Sequence, residues 1–185
     1  MCVLFAKAAS AQKDLLSFNE QNKYIYYQVV QQPDATADTL QLRALYFLKK
    51  AYPKNKVKQG ETSGNFTGTG QFLLLSGIAA VKHVDGEINY TYYIECKNQK
   101  YRYWLTDFVF TPYKVDRYGN SVPEPGIDIP IETGSAKLDK KQAETYLNQV
   151  GAYSKQFGET LKHYMLKPAA LPIEEKKKVI STKDW

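Results

Sequence analysis

The side chains best suited to binding in this sequence lie on two strand-like runs that meet at a tight turn. A two-residue turn at Asn98-Gln99 would set the register of these runs. Four side chains then pair across the strands, Tyr93 with Trp104 and Glu95 with Arg102. Because side chains along a strand alternate between faces, all four share one face, which we call the open face because we expect it to meet solvent.

The open face allows two interpretations. Cross-strand pairs of this kind stabilise a sheet by about 0.2–1 kcal/mol each. Exposed aromatic side chains also stack on sugars, bases or peptides, which makes Tyr93, Glu95, Arg102 and Trp104 candidate binding residues. Glu95, together with Glu87 on the same face, would repel phosphate and so disfavours nucleic acid as the partner.

The opposite face of the same two strands is apolar and is expected to lie under helices. Its members are Tyr92, Ile94, Cys96, Tyr101, Tyr103 and Leu105. We expect Cys96 to be a small buried apolar residue. The chain contains only two cysteines and two histidines, far apart in sequence, whereas a structural zinc site needs about four ligands. The sequence therefore predicts no metal and no cofactor.

Catalytic groups are not specified by any motif. His83 and Asp85 would need a nucleophile beside them, and Asp85-Gly86 is instead typical of a hairpin turn. The glycines between Gly64 and Gly70 precede a strand-like run, whereas phosphate-binding loops open a helix, so we expect them to mark a strand edge or bulge. We predict no catalytic residue.

An enzyme remains an alternative because of one acidic region. Five carboxylates lie in or near a proline-rich loop after Pro112, namely Asp107, Asp116, Glu124, Asp128 and Glu132. Paired carboxylates perform acid–base chemistry in hydrolases. Spacing alone does not bring these side chains together, so a hydrolase-type site in this loop stays open.

Hydrophobic periodicity gives the elements that would position the open face. We predict, in order, a strand at 23–31, a helix capped at Asp34 or Thr36 and ending at Tyr52, strands at 56–61, 66–84, 87–97 and 101–111, a loop at 112–137 with a short strand at 127–131, and a helix at 138–166. Short turns between consecutive strands imply antiparallel pairing. The order predicts an α+β fold with helices on one face of a mostly antiparallel sheet.

Length and charge limit the range of functions. The chain of 185 residues suits one domain, which we place at 12–166. Its net charge of +6 is spread along the sequence, whereas a nucleic-acid footprint needs clustering on one face. We interpret the charge as a soluble basic surface and keep a nucleic-acid-binding domain as an alternative.

The two ends of the chain differ from this domain. Residues 1–11 are similar to the end of a secretory signal peptide, with an apolar stretch followed by Ala9-Ser10-Ala11. This predicts export to the periplasm or cell envelope, with a cytoplasmic protein as the alternative. Residues 167–185 are charged and expected to be mobile. No apolar run approaches the ~20 residues of a membrane-spanning helix.

Three segments resemble a bacterial family of unknown function that has a TATA-box-binding-protein-like (TBP-like) fold. They are the strand and helix from Lys23 to Pro53, the run Gly68-Thr69-Gly70, and the hairpin from Ile88 to Pro112 with its Tyr101-Arg102-Tyr103. The resemblance implies a curved, mostly antiparallel sheet and an exported bacterial protein, and it brings no activity. We therefore expect a non-catalytic binding or protein-interaction domain of the cell envelope, whose partner is an envelope protein or a glycan.

Overall fold

The computed structural model describes residues 15–53, 58–59, 64–77, 83–136 and 138–166. The described strands are β1 (Ser17–Phe18), β2 (Tyr24–Gln31), β3 (Lys58–Gln59), β4 (Asn65–Ser76), β5 (His83–Lys97), β6 (Lys100–Val115), β7 (Ser121–Pro123) and β8 (Ile129–Pro130). The helices are α1 (Ala37–Ala51), a 3₁₀ helix at Ile131–Ala136, and α2 (Lys140–Leu166). The predicted signal segment and charged tail lie outside the described residues.

The strands form one antiparallel sheet in the order β1-β2-β6-β5-β4-β3, with β7 and β8 also paired to β6. Helices α1 and α2 pack against each other and bury the apolar face of the sheet, including Tyr92, Tyr103 and Leu105. The α+β architecture with helices on one face is thus confirmed. The long β5 and β6 form its centre, and the open face lies on the side away from the helices.

The turn between β5 and β6 produces the predicted register. Lys97 pairs with Lys100, and Glu95 pairs with Arg102. The left-handed residue of this turn is Gln99, with φ of 64°, rather than the asparagine before it. Asn98 instead accepts a hydrogen bond from the Ala37 backbone N–H at 2.9 Å through its side-chain oxygen. The turn therefore also anchors the start of α1.

The prediction of a hairpin turn at Asp85-Gly86 is wrong, because both residues lie inside β5. The register between β4 and β5 shifts here, so that Leu74 pairs with Gly86 and Leu75 with Val84, leaving Asp85 as the extra residue of a bulge. Gly86 is required by close packing, since a Cβ there would overlap the Thr111 carbonyl oxygen. The predicted strand at 66–84 is accordingly two strands, whose connection lies outside the described residues.

The region after β6 is more ordered than a loop. Pro112 does not end β6, which continues to Val115 and pairs with β7. The Pro112 carbonyl accepts the Glu124 backbone N–H at 2.8 Å. The backbone nitrogen of Pro112, which has no hydrogen to donate, therefore faces the end of the β7 pairing, where a strand tolerates the loss of one hydrogen bond. Helix α2 begins at Lys140, because the Asp139 carboxylate accepts the backbone N–H groups of the first turn.

Helix α1 starts at one of the two predicted caps. The Thr36 hydroxyl accepts the Thr39 backbone N–H at 3.3 Å, which satisfies a donor that the first turn of a helix leaves free. The helix buries Leu40, Ala44, Phe47 and Leu48 toward the sheet and α2. The helix predicted from hydrophobic periodicity therefore has one buried face.

Glycines in β4 make room for the tyrosine rings of β5. Gly68 is paired with Tyr92 and Gly70 with Tyr90, in a stretch without register shift. A Cβ at either glycine would overlap the hydroxyl and ring of the paired tyrosine. The expectation of a bulge at these two glycines is therefore wrong, whereas on the outer side of β4 the described part of β3 pairs only with Phe66 and Thr67. The absent side chains of the glycines let the tyrosine rings lie over the β4 backbone.

The same arrangement recurs where α2 meets the sheet. A Cβ at Gly158 would overlap the Tyr103 hydroxyl and ring, so the helix approaches the sheet as closely as it does because this residue is glycine. The Tyr90 hydroxyl meets the Tyr153 hydroxyl of α2 at 2.8 Å. Burial raises the pKa of Tyr92 to about 12 and also raises the pKa of Tyr90 and Tyr103, so these core tyrosines stay neutral even in mildly alkaline solution.

We expect Gly70→Ala to lower the free energy of unfolding by about 1–3 kcal/mol, the usual cost of overpacking a core, because the new methyl group would overlap Tyr90. Urea denaturation monitored by circular dichroism measures this. The matched control is Gly134→Ala, whose Cβ would meet only a Leu138 methyl carbon at 3.4 Å. In a Tyr90→Leu background the cost of Gly70→Ala should shrink, and equal costs in both backgrounds would refute the packing argument.

Candidate functional site

The open face carries a row of three aromatic side chains across adjacent strands. Cross-strand pairing sets Tyr27 of β2 beside Trp104 of β6, and Trp104 beside Tyr93 of β5. The Tyr93 and Trp104 rings stack with centroids 4.8 Å apart and planes 11° apart. The Tyr27 ring lies 6.2 Å from Trp104 on its other side, tilted by 38°. The structure therefore brings the predicted pair together and extends it by one ring.

A charged row runs beside the aromatic one. The Arg102 guanidinium donates to the Glu95 carboxylate at 2.6 Å, and its carbon lies 5.4 Å from the centre of the Trp104 ring. Hydrogen bonds to Glu95 and then to Tyr27 raise the pKa of Arg102. All four predicted site residues thus form one connected group, with Arg102 held in place by the carboxylate, the indole and the tyrosine.

Sequence reasoning missed the contribution of β2 to this face. Tyr27 and Val29 are 44% and 49% exposed, values that are high for large apolar residues inside a strand. They reach the site because β2 pairs with β6, which lies about seventy residues later in the chain. No local signal predicts such a pairing, although the strand itself was evident from its sequence.

Two shallow depressions flank the Arg102 side chain. The first, of about 210 Å³, is lined by Val29, Glu95, Lys97 and Lys100 in addition to Tyr27, Tyr101 and Arg102. The second, of about 640 Å³, lies between the β1 segment, with its exposed Phe18, and the ring of Trp104. Both are open and neither encloses a small molecule, so this surface is suited to a broad contact rather than to an enclosed substrate.

A second polar cluster lies at the far end of the sheet, and sequence reasoning only partly anticipated it. Ser76 lies 2.8 Å from Nε2 of His83 and donates to Asp85 at 2.6 Å. The same Nε2 atom lies 3.0 Å from the same carboxylate oxygen. In a catalytic triad the two ring nitrogens of histidine serve the nucleophile and the carboxylate separately. The cluster therefore lacks the arrangement of a triad despite its composition.

Asp85 holds this cluster to α2. The Tyr146 hydroxyl donates to the second Asp85 oxygen at 2.8 Å and accepts from Gln142 at 2.9 Å. Burial, followed by the bond to Asp85, raises the pKa of Tyr146. The bulge at Asp85 thus turns a carboxylate toward the helix, where it ties α2 to the junction of β4 and β5.

The five carboxylates near the loop after Pro112 serve separate purposes. Asp107 pairs with Lys23, Asp116 accepts backbone N–H groups of its own turn, Glu124 faces Lys114, Asp128 accepts from Thr111, and Glu132 accepts from the Tyr24 backbone. Asp107 and Glu132 therefore meet at the start of β2, where both raise the pKa of Lys23, and the other three contact separate parts of the fold. Within the described ranges no three acidic, histidine or cysteine side chains gather in a way that could hold a metal ion.

Cys96 is buried and free of any disulfide within the described part of the chain, and burial raises the pKa of its thiol to about 12. This confirms its predicted place as an apolar core residue. Among the described residues no helix is both long and apolar enough to cross a membrane.

We expect Tyr146→Phe to lower the free energy of unfolding by about 1 kcal/mol, because it removes a hydrogen bond to a charged group and leaves Asp85 with one donor fewer. Thermal denaturation followed by circular dichroism measures this. Tyr118→Phe is the control, since Tyr118 is 72% exposed. Equal stability of the two variants would contradict the structural role of the cluster.

Comparison with known proteins supports the fold that the sequence resemblance implied. Residues 26–111 match the family model described as "Domain of unknown function (DUF4468) with TBP-like fold". A TBP-like protein from Parabacteroides distasonis ATCC 8503 superposes with a TM-score of 0.63 at 16% identity, covering 80% of this chain and 95% of that one. A DUF4468 family protein from Bacteroides ovatus ATCC 8483 superposes with a TM-score of 0.62 at 11% identity, covering 85% and 94%. Curated proteins give no significant match.

Proposed function

We propose that this chain, whose residues 26–111 match the model of a family of unknown function with a TBP-like fold, is a non-catalytic domain that binds a protein through the open face. The observation that carries the proposal is the aromatic row of Tyr27, Trp104 and Tyr93 beside the Arg102–Glu95 pair. Aromatic side chains and arginine are the residue types enriched at the centre of protein interfaces.

The geometry of the row favours a protein partner over a glycan. Trp104 is flanked by Tyr93 on one side and by Tyr27 on the other, with Arg102 over its ring. A sugar or a base would need a free aromatic face for stacking, and at Trp104, the centre of the row, Tyr93 and Arg102 lie over the ring. Tyr27 and Arg102 line both shallow depressions, which gives a broad surface suited to the side chains of a protein.

The charges of the open face agree with this choice. Arg102 is neutralised by Glu95, and Glu87 on the same face accepts from the Tyr113 hydroxyl at 2.8 Å. A surface that tracks a phosphate backbone needs cations without acidic neighbours. The nucleic-acid alternative therefore rests on Lys97 and Lys100 in the first depression rather than on Arg102.

A Trp104→Ala variant should lose binding while keeping its fold. The probe is a phage-displayed peptide library selected on the wild-type domain, with the recovered peptides measured by fluorescence polarisation. We expect affinity to fall at least about tenfold on removal of a central aromatic, a loss typical of hot-spot residues. Leu73→Ala is the matched control, because Leu73 is also exposed, at 50%, but lies on β4 away from the row.

The competing partner is tested with the same variants on immobilised glycans. Glycan binding that depends on Trp104, without any peptide that does, would replace the protein partner by a carbohydrate. Equal peptide affinity in Trp104→Ala and Leu73→Ala would overturn the open face as the binding site.

We also propose that the domain acts in the cell envelope. Support comes from the small residues Ala9-Ser10-Ala11 after an apolar stretch. The direct check is N-terminal sequencing of the protein recovered from fractions of its native host. Cleavage after Ala11 and recovery outside the cytoplasm are expected, and an uncleaved cytoplasmic protein would refute export.

A further inference from the structure

Two lysines at the turn end of the open face lie next to each other without an acidic partner. Lys97 and Lys100 pair across the turn between β5 and β6, and both side chains are exposed. Among the described residues no carboxylate forms an ion pair with either lysine. Like charges directly opposite each other destabilise an antiparallel pair, so the hairpin carries a repulsion that a bound anion would relieve.

The neighbouring ion pair leaves this charge uncompensated. Glu95 lines the same depression as both lysines, but Arg102 donates to its carboxylate from Nε and Nη2, each at 2.6 Å. Arg102 and Glu95 therefore neutralise each other, and the two lysines supply the excess positive charge of the depression. The depression lies over β2, β5 and β6, and each of these strands is described from end to end.

The β2 side of the same depression is apolar. Tyr27 and Val29 line it and are 44% and 49% exposed. Val29 pairs with Arg102, and Gln31 pairs with Lys100, so apolar and cationic side chains lie side by side on one face. A ligand that matches both carries a negative charge beside an apolar group, and an acidic segment of a protein has this composition.

We propose that the protein partner of the open face is acidic, with a carboxylate bound between Lys97 and Lys100 and an apolar neighbour packed on Tyr27 and Val29. The inference rests on the proposed function, because it names the kind of protein that this face binds. Exposed charges at the rim of an interface contribute to selectivity and to the rate of association more than to affinity. The aromatic row therefore remains the centre of the contact, and the lysines select the partner.

The extent of the positive charge favours a carboxylate over a phosphate backbone. A strand of nucleic acid needs cations along its whole path across a surface. Along β5 the next charged residue after Lys97 is Glu95, and Glu87 lies eight residues beyond it, or about 27 Å at the usual rise of a strand. A single acidic side chain needs only the lysine end of this face.

The first test uses the peptides that are selected on the wild-type domain and lose affinity in Trp104→Ala. Lys97→Gln combined with Lys100→Gln should lower their affinity at least about fivefold, because two exposed ion pairs are lost, and the binding that remains should depend less on salt. The matched control combines Lys140→Gln with Lys155→Gln, which removes the same charge from exposed positions of α2, on the other side of the sheet.

Equal affinities in the two double variants would overturn the acidic partner and leave the proposed function standing, since dependence on Trp104 is measured separately. Failure to select any peptide that depends on Trp104 would overturn both. The two proposals can therefore fail independently.

The second test exchanges charges across the interface. Each Asp or Glu of a bound peptide is changed in turn to Lys, and the change that weakens binding to the wild type most should be restored by Lys100→Glu. This variant places opposite charges across the turn, which favours the hairpin, so loss of the fold does not confound the result. Restoration at no acidic position would overturn the contact.

Nucleic acid is tested with the same double variants and a fluorescein-labelled single-stranded DNA of mixed sequence. We expect the peptides, and not the DNA, to distinguish the two double variants. DNA binding that is lost only without Lys97 and Lys100, with no acidic peptide selected, would replace the acidic protein by nucleic acid.

Discussion

Close contact between tyrosine rings and glycine backbone determines how this domain is assembled. The rings of Tyr90 and Tyr92 are too large to stand between β4 and the helices unless the facing strand gives up its own side chains. Gly68 and Gly70 provide that space on the sheet, and Gly158 provides it on α2 for Tyr103. A helix–sheet interface with large aromatic residues on one side therefore remains tightly packed, as protein interiors require.

This packing determines which face of the sheet remains exposed for binding. With the large tyrosines and both helices on one side, the shorter polar and flatter aromatic side chains of β2, β5 and β6 remain on the other. A rigid, well-packed layer beneath them keeps Tyr93, Trp104 and Arg102 in fixed positions. Preorganised side chains lose little conformational entropy when a partner arrives, so the core contributes indirectly to the surface that we propose for binding.

The features that the sequence predicted are those determined by neighbours in the chain. The pairing of Tyr93 with Trp104 and of Glu95 with Arg102 followed from one two-residue turn and the alternation of side chains. The start of α1 followed from a capping residue. Family resemblance added the fold, and the match over residues 26–111 together with the solved structures agrees with it.

The features that the sequence did not predict depend on contacts between residues far apart in the chain. Asp85-Gly86 has the composition of a turn, but pairing with β4 and β6 draws it into a strand as a bulge. Tyr27 joins the aromatic row only because β2 lies against β6. Ser76 meets His83 across a connection whose path no local pattern specifies. In each case tertiary contacts override the local preference.

The left-handed backbone at Asp107, with φ of 54°, has a consequence for how the sheet tolerates change. Before it, Tyr103 and Leu105 point inward, and after it Phe108 and Phe110 do, because one additional residue shifts the alternation by a step. The left-handed φ limits the residue type here, and the packing on either side limits the number of residues. A chain shortened by one residue here would turn both phenylalanines out into water and carry polar neighbours into the core, so the length of β6 is held more strictly than its composition.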